Sequence, residues 1–165
     1  MADASLTIRR ATAADWPALW PIIRAVIAGE DTYSMLPDTP EDEVRTYWMG
    51  PGCTTYVAEK AGTLVGTYVI RPNRTGLGDH VANGSYMVAP ERAGEGIGFA
   101  MGQHSLAEAR EAGYQAMQFN AVVATNHRAV ALWQRLGFAI VGTVPRAFRH
   151  RVHGLVDLHV MHRFL

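Results

Sequence analysis

The stretch that decides the fold runs from residue 86 to residue 101 and reads YMVAPERAGEGIGFAM. It predicts a strand that ends before Pro90, a glycine-rich turn, and a helix that begins near Gly96. Gly94, Gly96 and Gly98 stand at every second position, so several backbone N–H groups can point outward together where the helix starts. Because those amides and the helix dipole act in the same direction, the turn is suited to a phosphate or pyrophosphate.

Two common phosphate-binding motifs do not describe this turn. Met101 stands where the third glycine of G-x-G-x-x-G would be, and no Gly-Lys-Ser/Thr follows. Taken alone, the glycines are explained equally well by a tight turn before a helix. The choice between the two interpretations has to come from the rest of the chain.

The composition is typical of a globular protein, and we expect a single domain over residues 1–165. With 15 basic and 15 acidic residues and 48% hydrophobic residues, it favours neither nucleic acid nor a membrane as a partner. No segment approaches the roughly 18 apolar residues of a membrane span, and no signal pattern opens the chain. Cys53 is the single cysteine and cannot form an internal disulfide, so we expect a cytoplasmic protein.

Hydrophobic periodicity predicts a mixed chain of strands and helices. Strands are expected at residues 6–10, 54–60, 64–70, 81–88, 115–123, 138–144 and 155–164. Helices are expected at about 16–28, 40–49, 96–112 and 126–136, bounded by capping residues or glycines. A basic, histidine-containing loop at 145–154 would join the last two strands. We therefore expect the α/β (α+β) class, with a single mixed, mainly antiparallel sheet flanked by helices.

Two separate segments resemble the GCN5-related N-acetyltransferase (GNAT) superfamily. The first, residues 93–98 (AGEGIG), is similar to its Arg/Gln-x-x-Gly-x-Gly/Ala turn, with Ala93 in place of Arg or Gln and Arg92 one position early. The second is Asn126 followed by AVALWQRLGF at residues 129–138. The resemblance covers nearly the whole chain and implies the acyl-CoA N-acyltransferase type of fold.

The resemblance implies that acetyl-CoA is the cosubstrate. Amides of the turn would hold the pyrophosphate, the pantetheine arm would follow the strand that ends at Val88, and the Val88 N–H would face the thioester carbonyl as a catalytic group. Asn126 would contact the coenzyme. The implied cofactor-binding residues are Met87, Val88, Ala93, Gly94, Glu95, Gly96, Ile97, Gly98, Asn126 and Trp133.

Trp133 departs from the family pattern, which usually has a tyrosine here that protonates the departing thiolate. An indole N–H donates a hydrogen bond but does not usefully ionise. Either solvent protonates the thiolate or another side chain does so, and the sequence leaves this open. The same departure raises a second hypothesis, a non-catalytic coenzyme A sensor.

Asn83 and Asn120 suggest a narrower likeness. Both lie in strand segments, and the arrangement is similar to acetyltransferases that act on proline analogues such as azetidine-2-carboxylate. There, asparagines at these positions orient the substrate and the acetyl carbonyl. The resemblance thus implies acceptor binding by both residues and a catalytic role for Asn120. The alternative is an asparagine whose hydrogen bonds are satisfied within the sheet.

The long polar connection after the first helix lies on the side where the family receives its acceptor. Glu30 is our candidate for removing a proton from the amine, directly or through water. Asp31 and Tyr33 are candidates for acceptor binding, and Tyr47 and Trp48 could wall the same pocket. The alternatives are a solvated acidic loop and aromatic core residues.

The histidines do not predict a metal site. His159 and His162 are three apart in a strand and therefore face opposite sides. His150 and His153 lie beside arginines that would repel a cation. The role of residues 146–153 stays open.

We therefore expect an acetyl-CoA-dependent N-acetyltransferase of a small amine or amino acid, working by direct attack in a ternary complex without a covalent enzyme intermediate. Its expected partners are acetyl-CoA and the small amine acceptor. Exposed end strands are compatible with a homodimer. The alternative within the enzyme class is protein N-terminal acetylation, which needs an open groove.

Overall fold

The computed structural model describes residues 5–165, in which a seven-stranded sheet carries four α-helices. The first four residues of the expected domain lie outside this range. The strands are β1 (Leu6–Arg10), β2 (Thr54–Lys60), β3 (Thr63–Pro72), β4 (Val81–Val88), β5 (Ala116–Val123), β6 (Ala139–His150) and β7 (Gly154–Phe164). The helices are α1 (Trp16–Ile27), α2 (Glu41–Met49), α3 (Ile97–Glu111) and α4 (His127–Arg135).

The sheet has the order β1-β2-β3-β4-β5-β7-β6. Within the described sheet, β4 and β5 are the one parallel pair, joined by α3, and the other neighbours are antiparallel. The predicted class and the mixed, mainly antiparallel sheet are confirmed. A parallel pair needs a helical crossover, which the turn and helix after β4 supply.

The sheet separates two hydrophobic clusters. On one face α1 and α2 bury Leu19, Ile23 and Trp48 completely. On the other face α3 and α4 pack on the sheet, and Met101 of α3 and Met117 of β5 are equally buried. The helical spacing of apolar residues predicted from the sequence therefore marks the sides that face the sheet.

A row of aromatic rings crosses the sheet beneath α3. Tyr56, Tyr68 and Tyr86 are direct cross-strand partners on β2, β3 and β4, and their rings stack with centroids 4.7 and 5.5 Å apart. Trp133 of α4 continues the row at 4.7 Å from Tyr86. Cross-strand aromatic pairs stabilise a sheet, and this row also fixes where Trp133 lies.

β4 and β5 separate soon after they meet. Their parallel pairing consists of Val81 with Ala116 and Ala82 with Met117. Beyond these pairs the strands diverge, and β5 has an irregular register between Phe119 and Val122. From residue 83 onward, β4 therefore has one edge that its neighbour does not cover.

The prediction of a loop at residues 145–154 is wrong, because β6 extends to His150. The register shifts between Val144 and Phe148, so Pro145 lies in a bulge of this edge strand. A proline is tolerated there since its missing N–H interrupts no ladder hydrogen bond. The connection between β6 and β7 is only the turn at residues 151–153.

Helix α2 has nine residues and is held on the sheet by buried hydrogen bonds. The Trp48 indole N–H donates to Thr67 Oγ1 at 3.0 Å, and the Thr67 hydroxyl donates to Tyr56 O at 2.8 Å. Thr55 Oγ1 donates to Trp48 O at 2.6 Å. So short a helix is marginal by itself, so its position depends on this anchor.

Replacing Thr67 by Val should destabilise the protein by about 1–3 kcal/mol, because the buried indole N–H of Trp48 loses its acceptor. Thr67→Ser is the matched control, since it keeps the hydroxyl. Urea unfolding followed by circular dichroism measures the difference. Equal unfolding midpoints for the two variants would contradict the role we give this hydrogen bond.

Candidate functional site

A cavity of about 660 Å³ lies where β4 and β5 diverge. The loop at residues 32–36 and helix α2 form one wall, and Asn126, Ala129 and Trp133 form the opposite wall. Residues 83–86 of β4 and 119–123 of β5 line it between these walls. The volume is within the range of small-molecule sites in proteins.

The exposed edge of β4 is partly occupied by a phenol. Tyr33 Oη donates to Tyr86 O at 2.8 Å and accepts from Tyr86 N at 2.9 Å. Burial raises the pKa of the Tyr33 hydroxyl, so it stays protonated and can donate. The predicted acceptor-binding residue Tyr33 thus contacts the strand edge inside the cavity.

Val88 turns its N–H toward the same open edge. Ala89 N donates to Val65 O at 2.9 Å, so residue 89 bonds to β3. Antiparallel ladders alternate, which directs the backbone groups of residues 86 and 88 away from β3 and those of residue 87 toward it. The Val88 N–H therefore faces the divergence of the strands, as the catalytic role predicted for it requires.

The glycine turn has the conformation that its composition favours. Gly94 has φ of +91° and Gly96 has φ of +79°, both in the left-handed region, and Gly96 caps the N-terminus of α3. A Cβ on Gly98 would lie 3.2 Å from Leu132 Cδ1, so α3 and α4 approach closely here. The free amides of the first turn of this 15-residue helix form a candidate anion site.

The charges around the turn differ from the sequence-based interpretation. Arg92, the substitute suggested for the missing basic residue, pairs with Glu95 at 2.8 Å, and Lys60 Nζ contacts the same carboxylate at 3.2 Å. The basic group beside the turn is instead Arg128, whose Nη2 lies 3.4 Å from where a Cβ on Gly94 would stand. Arg128 was not predicted from the sequence, where its one signal is its position two residues after Asn126.

Asn126 and Trp133 are both brought to the cavity. Asn126 Oδ1 accepts from Ala129 N at 3.1 Å, which confirms it as the cap of α4. Trp133 packs against Phe119 with ring centroids 4.5 Å apart. The benzo ring of Trp133 lies over Gly102 of α3, since a Cβ built on Gly102 would be 3.3 Å from Trp133 Cζ3. The edge of the indole that carries the N–H is on the opposite side of the ring system and therefore points away from α3.

Asn83 and Asn120 line the cavity together. Asn83 Nδ2 donates to Gln118 O at 3.0 Å, linking β4 to β5 just beyond their last paired residues. Asn120 Nδ2 donates to Asn73 Oδ1 at 2.7 Å, and Asn120 Oδ1 accepts from Gln118 Nε2 at 2.9 Å. Their roles with a substrate stay predictions.

Val88 and the predicted residues of the glycine turn, 93–98, lie outside the cavity lining, and so do three other candidates. Glu30 O accepts from Arg151 N at 3.2 Å, and Asp31 Oδ1 accepts from Thr32 Oγ1 at 3.0 Å. Met87 is 2% exposed in the cluster beneath α1. Proton removal by Glu30, acceptor binding by Asp31 and cofactor binding by Met87 stay predictions that this arrangement does not favour.

The cavity also contains residues that the sequence did not single out. Glu43 of α2 is its one acidic lining residue within the described chain, and Ser85 of β4 lies nearby. Glu43 is one helical turn before Tyr47, which lines the cavity as the sequence suggested. Their helical spacing was visible in the sequence, but the surface that they face was not.

Between residues 5 and 165, no group of three or more His, Cys, Asp or Glu side chains could hold a metal ion. Over the same range, each helix is too short or too polar to cross a bilayer.

Comparison with known proteins identifies the family of this fold and site. Residues 20–138 match the family model described as the acetyltransferase (GNAT) family. The chain is 33% identical to N-acetyltransferase aca1 of Schizosaccharomyces pombe over 111 residues, which are 67% of this chain and 53% of that protein. It therefore spans about half the length of the curated relative that it matches.

Solved structures have the same architecture. A GCN5-related N-acetyltransferase from Kribbella flavida superposes with a TM-score of 0.92 at 48% identity, covering 97% of this chain and 98% of that one. A phosphinothricin acetyltransferase from Sinorhizobium meliloti, in complex with AcCoA, gives 0.82 at 26% identity, covering 97% and 88%. The match over residues 20–138 spans most of the chain and contains the turn, the diverging strands and α4. The chain therefore belongs to the acetyltransferase (GNAT) family.

Proposed function

We propose that this chain transfers the acetyl group of acetyl-CoA to the amine of a small molecule or amino acid, with a proline analogue among the candidate acceptors. The observation that carries the proposal is the continuity between the uncovered edge of β4 and the glycine turn at the start of α3. A strand edge and a set of helix N-terminal amides together suit a ligand with an amide-containing arm and a pyrophosphate. The Sinorhizobium relative, which binds AcCoA, supports this choice.

The residues of the turn fit the phosphate end of the coenzyme. The positive φ values at Gly94 and Gly96 expose the backbone, and Arg128 supplies a cation beside it. Glu95 would oppose an anion, but Arg92 and Lys60 offset its charge. Binding would therefore depend mainly on backbone amides and on Arg128.

The reaction centre would lie at the Val88 N–H. An acceptor amine in its neutral form attacks the thioester carbon, a C–N bond forms, and the C–S bond breaks. The amine loses a proton and the departing thiolate gains one. A backbone N–H aimed at the thioester oxygen stabilises the charge that develops there, an effect on the order of 3 kcal/mol in acyl transfer.

Trp133 fits a supporting role at the leaving group. Its N–H edge points away from α3, and the residue lines the cavity. An indole can donate a hydrogen bond to the departing sulfur, but it cannot replace a tyrosine as the proton donor. Solvent then protonates the thiolate, which is already a good leaving group.

The acceptor would enter on the side of α2. Asn83, Ser85 and Asn120 present polar groups there, and Glu43 supplies a carboxylate. A cavity enclosed by α2 and the loop at residues 32–36 suits a small acceptor better than the open groove that a protein N-terminus would need. The homodimer stays a prediction, in keeping with β6 as an edge strand that exposes Val141 and Val144.

The first test is thiol release from acetyl-CoA across amines, amino acids, proline analogues and short peptides. We expect acyl transfer to at least one small acceptor, detected as free coenzyme A and confirmed by mass spectrometry of the product. Transfer to peptide N-termini alone would favour the N-terminal acetyltransferase. Coenzyme A binding by calorimetry without transfer to any acceptor would favour the sensor.

Arg128→Gln should raise the KM for acetyl-CoA about three- to tenfold, because an exposed cation near a pyrophosphate contributes about 1 kcal/mol. The effect should shrink as salt increases. Arg135→Gln, a basic residue of the same helix, is the matched control. An unchanged KM for Arg128→Gln at low salt would remove Arg128 from the coenzyme site.

Asn120→Ala should lower kcat/KM for the acceptor about tenfold, the effect of one lost hydrogen bond of about 1.4 kcal/mol, while the KM for acetyl-CoA stays the same. Steady-state kinetics with each substrate varied in turn measures this. Asn73→Ala removes the partner of Asn120 and leaves its amide in place. If both variants behave alike, Asn120 acts through the sheet and not on the acceptor.

A further inference from the structure

Arg71 of β3 is a half-buried cation without a carboxylate partner. Its Nη1 donates to Tyr47 O at 2.9 Å and its Nη2 donates to Ser85 Oγ at 3.3 Å. Its guanidinium lies 4.0 Å from the centre of the Tyr47 ring. Among residues 5–165, no Asp or Glu pairs with it, and its buried Nε has no hydrogen-bond partner.

Two other arginines near the sheet do have carboxylate partners. Arg9 pairs with Asp15 at 2.7 Å, and Arg92 pairs with Glu95 at 2.8 Å. Within residues 5–165, the groups that contact the Arg71 guanidinium are a carbonyl, a hydroxyl and an aromatic face. Removing a guanidinium from water without a counter-ion costs free energy, so an anion beside it would be strongly favoured.

The groups in front of Arg71 belong to the wall of the cavity. Ser85 and Tyr47 both line it, and their hydroxyls are 3.4 Å apart. Ser85 lies two residues beyond Asn83 on β4, so both side chains point to the face that α2 covers. The two hydroxyls can therefore contact a ligand in the cavity while Arg71 supplies positive charge behind them.

The same cavity has a negative group. Glu43 lines it and lies one turn before Tyr47 on α2, and helical residues four apart are neighbours on one face. A positive charge at the sheet and a negative charge on the helix fit a ligand that has both an amino group and a carboxylate.

We propose that Arg71, with the hydroxyls of Ser85 and Tyr47, forms a subsite for the carboxylate of an amino acid acceptor, whose amino group faces Glu43. This inference rests on the proposed function and narrows it, because it excludes simple amines as the preferred acceptors. Arg71 is the source of the charge, and the hydroxyls make the contacts.

The test compares matched acceptors that differ only in the carboxylate. Proline and azetidine-2-carboxylate, together with any amino acid that releases thiol in a first screen, are each compared with the corresponding amide and decarboxylated amine. We expect kcat/KM for the free acid to exceed that for its amide by about 100-fold, in line with a hydrogen bond to a charged group. Comparable rates for acid and amide would overturn the subsite.

Two variants locate the effect at Arg71. Arg71→Met should reduce kcat/KM for the free acid about 30- to 100-fold, mainly through KM, and should lower kcat/KM for the amide much less. Arg71→Lys keeps the charge and should retain part of the selectivity. Arg74→Met is the matched control, an exposed arginine outside the cavity. Unchanged acid-over-amide selectivity in Arg71→Met would overturn the assignment.

A binding measurement separates this subsite from the proposed function. Calorimetric titration of the wild-type protein with acid or amide, in the presence of coenzyme A, needs no acetyl transfer. Binding of the acid and not the amide, without thiol release, would leave the subsite standing and refute the transferase. Transfer to neutral amines alone would refute the subsite and leave the transferase standing. The absence of both binding and transfer would refute both proposals. If Arg71→Met fails to fold, the acid-against-amide comparison in the wild-type protein and the selectivity of Arg71→Lys still test the subsite.

Discussion

The hydrogen bonding between β4 and β5 stops after two residue pairs, and much of the remaining structure follows from that. A strand in the middle of a sheet has donors and acceptors on both edges, and those that are buried need partners. On β4 the Tyr33 hydroxyl meets this need at Tyr86, where it serves both the N–H and the carbonyl. The next group along the same edge is the Val88 N–H, at the point where the strand leads into the glycine turn.

The two sides of the cleft are built by different means. On the side of α3 and α4, backbone conformation dominates, with left-handed glycines, a helix N-terminus and one arginine close to the turn. On the side of α2, side chains line the cleft, and they are held in place because the Trp48 indole N–H donates a hydrogen bond to Thr67 and keeps the helix on the sheet. The aromatic row that runs from Tyr56 to Trp133 lies against the sheet on the side of α3 and α4 and gives that wall a fixed position.

What the sequence could predict was local, and what it could not predict depended on register. The turn at Gly94 to Gly98, the Asn126 cap and the four helices each follow from a few neighbouring residues. The divergence of β4 and β5 depends on how strands 35 residues apart align, and no periodicity encodes it. The partners of Arg71 come from α2 and β4, which are distant from it in the sequence. A single basic residue in a strand therefore did not indicate a binding site. The extension of β6 through Pro145 was missed because a proline normally ends a strand, and here a bulge accommodates it.

The placement of two hydrophobic clusters on opposite faces of one sheet has an evolutionary consequence. Substitutions on the inner face of α2 alter the chemistry of one half of the cleft without reaching the packing beneath α3 and α4. If donor and acceptor bind as proposed, affinity for a shared donor and choice of acceptor are under largely separate genetic control. Under the proposed function, a scaffold divided in this way would acquire new acceptors by a few changes in a nine-residue helix and the strand positions that it covers, while the half proposed to bind the common donor is left intact.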